Sequence, residues 1–179
     1  AVVSAKSESA WSYNFRIHIN PETGELLYVT SLGYRVMVDG SVYDGNLWMG
    51  TERGFDHEAV AKVSDSTLVV ASEGKFRIKE YSVTPSFGNL KSAKASIWEK
   101  SWNPSDFASN YAFESLAYDS VRHCIWTIPE SVLARDGVPA TPQNRQANNL
   151  RLMQIYSDGQ VRSYAYQMDK PSAHRQADT

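Results

Sequence analysis

Glu58 and Glu73 stand 15 residues apart, and Glu114 and Glu130 stand 16 apart. Each pair frames the same text: a Glu, a small–apolar–Ala step, a turn, an apolar run and a closing Glu. The first copy runs from Glu58-Ala-Val-Ala61 to Val69-Val-Ala-Ser-Glu73, the second from Glu114-Ser-Leu-Ala117 to Cys124-Ile-Trp-Thr-Ile-Pro-Glu130. Asp56 lies two residues before Glu58, and Glu52 a little further back. Carboxylates that recur in a structural repeat gather around one axis, and three roles are open to them. They can share a Ca²⁺ ion, which takes about six to eight oxygen ligands. They can divide into a general acid and a general base, because crowded carboxylates drive their pKa values apart. They can also be structural, accepting backbone N–H bonds or pairing with Arg16, Arg77 and Arg151. The metal set is Asp56, Glu58, Glu73, Glu114 and Glu130, and the catalytic candidates are Glu58 and Glu114.

Other chemistries find little support. The single cysteine, Cys124, lies in a strand pattern and reads as a small buried hydrophobe. His57 sits between Asp56 and Glu58, but strand alternation turns it away from both, as a solvated or satisfied side chain. His18, His123 and His174 lack zinc-ligand spacing. There is no Gly-x-Ser-x-Gly elbow, phosphate-cradling glycine loop or Cys-x-x-Cys. Trp98 and Trp102 read as packing residues. The net charge of −2, with no basic block, argues against nucleic acid as a partner. No apolar run is long enough to span a bilayer.

The elements that must position the glutamates are strands. Ten Tyr and five Trp among 179 residues suit half-buried sheets. Phe15–Ile19 and Leu26–Thr30 flank the turn cluster Asn20-Pro-Glu-Thr-Gly24, a hairpin signal. Further strands are expected at 34–38, 47–51, 59–61, 67–72, 76–81, 94–99, 115–118, 123–128, 150–156 and 160–166. A third strand opens alike in each unit: Phe15-Arg-Ile17, Phe76-Arg-Ile78 and Leu150-Arg-Leu152. Four short strands per unit make a β-propeller blade. The expectation is an all-β, propeller-like single domain over 1–179. It has two full blades near 58–100 and 114–168, half a blade at 15–32, a long loop at 131–149 and a polar tail at 170–179. Closed propellers have about four to eight blades. Two and a half leave open edges, which calls for a protein partner that covers them.

Several segments resemble the phytase-like family described by "esterase-like activity of phytase". They are Asp56-His-Glu-Ala-Val-Ala61, Val70-Ala-Ser-Glu-Gly74, Asn110-Tyr-Ala-Phe-Glu-Ser-Leu-Ala117 and Ile128-Pro-Glu-Ser-Val-Leu133, followed by Arg135-Asp-Gly137. Order and spacing fit over about 13–169, as the middle part of a longer architecture. Ala59, Ser115 and Ala112 stand where the family pattern has glycine. The resemblance implies an extracytoplasmic (periplasmic, secreted or lumenal) phosphate-ester hydrolase with an acidic, Ca²⁺-binding site. The competing expectation is a non-catalytic binding or structural subunit of a larger assembly.

Overall fold

Leu68-Val-Val-Ala71 is apolar without alternation, and such a strand must be covered on both faces. In the computed structural model that strand, all but buried throughout, lies between its neighbours in a blade. The structure describes residues 2–3, 11–38, 57–82, 90–92, 98–108, 111–146 and 148–171. It is all-β. Its strands are β1 (Val2–Val3), β2 (Trp11–Ile19), β3 (Leu26–Val38), β4 (His57–Ser64), β5 (Thr67–Ser72), β6 (Arg77–Ser82), β7 (Leu90–Ser92), β8 (Lys100–Ser101), β9 (Ala117–Asp119), β10 (Cys124–Thr127), β11 (Asn149–Tyr156) and β12 (Val161–Gln167). A short 3₁₀ turn covers Pro104–Asp106. Among the described residues no helix is long and apolar enough to cross a membrane.

The second blade is a four-stranded antiparallel meander, ordered β12-β11-β10-β9. The first runs β4-β5-β6, with β7 and β8 pairing along β6. A two-residue parallel pairing, Met37 with Leu90 and Val38 with Lys91, links it to β3 and so to the β1-β2-β3 unit. No sheet closes on itself among the described residues, so the ring is propeller-like and incomplete.

The blades pack face to face. Val69, Ala71 and Ile78 from the first meet Ile125, Met153 and Ile155 from the second in one buried cluster. Phe107 and Phe113 pack edge to face at 5.2 Å, and Trp102 lies 4.6 Å from Phe113. Trp98 is buried, its ring T-shaped against that of Tyr118. Both tryptophans are therefore packing residues, as their sequence context suggested.

Three local expectations change. The segments 26–30 and 34–38 form one strand rather than two. Ser31-Leu-Gly33 reads as a break, but it is a bulge: β2 steps from Tyr13 to Phe15 while β3 steps from Tyr34 to Ser31. Gly33, at φ 89°, takes the positive-φ position that makes such a bulge cheap. The described partners of β6 are Leu90–Ser92 and Lys100–Ser101, and residues 94–97 of the expected strand lie outside the described residues. Trp98 and Glu99 lie outside any strand, because burying the Trp98 ring in the core takes the chain off the ladder. Of the two readings of His57, solvated or satisfied, burial at 3% exposure removes the first, because β4 enters the sheet opposite Ser72. The expected strand at 47–51 and most of the polar tail lie outside the described residues.

Candidate metal centre

The repeat fixes where the glutamates emerge. β4 begins beside the end of β5, since His57 pairs with Ser72, and Glu73 follows at once. Glu58 is the extra residue where the register shifts between His57 and Ala59. Glu58 and Glu73 thus leave the first blade at the same end. In the second blade, Glu114 precedes β9 and Glu130 follows β10, and these strands are antiparallel neighbours. A bridge between Phe113 and Pro129 sets those two glutamates one residue beyond it on either chain. The buried Thr127 hydroxyl donates to the Ser115 carbonyl at 2.8 Å, which fixes the backbone beside Glu114.

One carboxylate oxygen each from Glu73, Glu114 and Glu130 lies within 4.8 Å of the others. Glu73 comes from one blade and the other two from its neighbour, so the group straddles the seam. Glu73 is 4% exposed, whereas Glu114 and Glu130 are open to solvent. Burial of Glu73 is offset by the Ala112 N–H, which donates to its Oε1 at 2.8 Å. The Ala112 carbonyl in turn accepts from the Glu130 N–H at 2.7 Å. A single peptide residue therefore ties the first blade's glutamate to the second's.

Partial desolvation, then the charges of Glu114 and Glu73, push the Glu130 carboxyl above its ordinary range. Crowded anions at a partly open mouth are a donor set for a hard cation. Ca²⁺–oxygen bonds of about 2.3–2.6 Å put ligands on opposite sides of the ion up to ~5 Å apart, so the spacing fits one shared ion. With one Glu73 oxygen held by Ala112, the other remains for a cation.

The remaining candidates fall elsewhere. Glu58, half-buried on β4, is not in the three-carboxylate group. Asp56 and Glu52 lie outside the described residues. Arg151, one proposed structural partner for the glutamates, instead forks onto Asp136, with Nη2 to Oδ1 at 2.6 Å. That pair anchors the long loop, which is free of strand and helix where described and joins β10 to β11. A pocket of about 560 Å³ lies beside it, lined by residues including Val132, Asp136, Asn148, Arg151 and Tyr164, and by none of the three glutamates. Sequence reasoning did not assign the Ala112 peptide a ligand-holding role. A backbone group carries no residue-type signal, and the methyl in place of the family's glycine is fully buried.

No curated protein matches this sequence. The family described as "Phytase-like: Esterase-like activity of phytase" matches residues 5–178, nearly the whole chain rather than a middle stretch. The motifs that carry the resemblance include the segments bearing all three clustered glutamates. The chain is a member of the phytase-like family.

Proposed function

We propose that the chain is a phytase-like hydrolase of phosphate esters, working at the blade seam with a calcium ion held by Glu73, Glu114 and Glu130. The observation that carries this reading is the convergence of three family-motif carboxylates from two blades within 4.8 Å. Bound there, Ca²⁺ would supply the positive charge that an anionic phosphate ester needs in order to approach an acidic site.

The protein's own residues have distinct tasks. Glu73 is locked by Ala112 and gives the site a fixed wall. Glu114 and Glu130, more exposed, face the entry side. Hydrolysis needs a base to take a proton from water as its oxygen bonds to phosphorus and the P–O bond to the leaving group breaks, and the departing alkoxide takes up a proton to leave as the alcohol. Glu58 and Glu114 are the candidates for that base, and Glu58 can act without being spent on the cation. An extracytoplasmic location accords with a calcium site built on few ligands.

The test is turnover of a generic phosphate monoester with and without Ca²⁺. Calcium-dependent release of phosphate that Glu114→Gln abolishes supports the reading. Absence of turnover at every calcium concentration overturns it. The second reading, a non-catalytic binding subunit, is favoured by one observation: the hairpin of β2 and β3 exposes a row of large apolar side chains.

A further inference from the structure

The β2–β3 hairpin is exposed along nearly all of residues 14–33. Its register pairs Phe15 with Ser31, Ile17 with Val29 and Ile19 with Leu26. Residues directly opposite in an antiparallel pair share a face. One face therefore carries Phe15, Ile17, Ile19, Leu26 and Val29, at 44, 61, 54, 58 and 50% exposure. The other carries Arg16, His18, Tyr28 and Thr30. That polar face is internally satisfied: the His18 and Tyr28 rings stack at 4.1 Å, and the Thr30 hydroxyl meets His18 Nε2 at 3.2 Å. The turn is held by the Asn20 side chain, which accepts from the Glu22 and Thr23 N–H groups.

We infer that this apolar face is a homodimer interface, on which a second copy of the chain lays the same face in antiparallel, tip-to-base fashion. A two-stranded ribbon with one bare apolar face is marginal in water. Taking ~200 Å² for a large apolar side chain, five at half exposure give ~500 Å² per copy. That is at the upper end of the largest apolar patch a monomer leaves bare, and patches of this size are often interaction sites. Two such faces bury ~1,000 Å², the size at which specific association begins. The face itself holds no charge, so it is self-complementary, as a two-fold interface requires. The rim sets the orientation. Glu22 and Glu25, both exposed, make the tip acidic. Parallel stacking would bring acidic tips together, whereas a two-fold near Ile17, at the middle of the face, places each tip toward the other copy's base.

Sedimentation velocity on the full chain, from about 1 to 100 µM, tests this. The expected result is a reversible rise from 20.1 kDa toward twice that mass. Ile17→Glu should hold the chain monomeric across the range, with a thermal midpoint equal to the wild type's at the low concentrations where the wild type is also monomeric, because the side chain is mostly exposed there. Ile17→Val should keep the dimer. A wild-type monomer throughout, or a dimer that Ile17→Glu leaves intact, overturns the inference.

Discussion

The carboxylate of Glu73 accepts the Ala112 N–H at 2.8 Å, a bond that spans 39 residues and crosses the seam between blades. It makes a buried acid tolerable and aims it at the two glutamates of the neighbouring blade. Removing the acceptor strands a buried backbone donor. Glu73→Ala should cost about 1–3 kcal/mol in urea unfolding. Glu73→Gln keeps an acceptor oxygen and should cost less than half as much, while losing the calcium response. Equal losses from both variants would mean that charge, not the hydrogen bond, holds this seam.

Stability of the calcium-free protein should fall as pH rises through the upper carboxylate range. Glu130 is raised by partial desolvation and by the charges of Glu114 and Glu73. Between its unfolded and folded pKa values it binds more protons folded than unfolded, so the pH slope of stability from this group is negative. Glu130→Gln should flatten that fall, and saturating calcium should reverse it. Thermal midpoints against pH, with chelator and with calcium, are the measurement.

The opposite sign holds at Asp136. The forked bond from Arg151 lowers its pKa, so it contributes stability above the ordinary aspartate value and loses it as pH falls through its lowered one. Both side chains keep some solvent exposure, 22% for Asp136 and 35% for Arg151. The pair should therefore be worth about 1 kcal/mol or less. Asp136→Asn should speed proteolytic nicking within 131–149 while moving the global unfolding midpoint little.

His123 sits at φ 49° in the turn between β9 and β10. A non-glycine residue there carries strain of about 1 kcal/mol. His123→Gly should raise stability by roughly 0.5–1 kcal/mol, less whatever the 3.3 Å contact with the Tyr118 hydroxyl contributes. Thermal unfolding measures it, and destabilisation would show that the Tyr118 contact dominates.

Strand order in both blades was legible because apolar runs, turn residues and the Glu-framed repeat all agreed. Asn20-Pro-Glu-Thr-Gly24 closes its hairpin as its residue types require, with Gly24 at φ 73°. Legibility failed where tertiary packing overrode local text. Gly33 looked like a strand end and is a bulge inside one. Trp98 looked like a strand residue and is a core anchor off the ladder. The repeat makes Glu58 equivalent to Glu114 and Glu73 to Glu130, but does not show that Glu73, Glu114 and Glu130 cluster while Glu58 stands outside their group. That depends on the Ala112 peptide and the Phe113–Pro129 bridge, contacts between distant backbone groups that no residue pattern encodes.

Glu73, Glu114 and Glu130, drawn from two blades, are proposed to form one calcium site. Calorimetric titration of Ca²⁺ into the wild type and into Glu73→Gln, Glu114→Gln, Glu130→Gln and Glu58→Gln tests it most directly. One site per chain is expected, weakened at least tenfold in each of the first three variants and retained in Glu58→Gln. An absence of calcium binding, or binding that survives Glu73→Gln and Glu114→Gln unchanged, would contradict it.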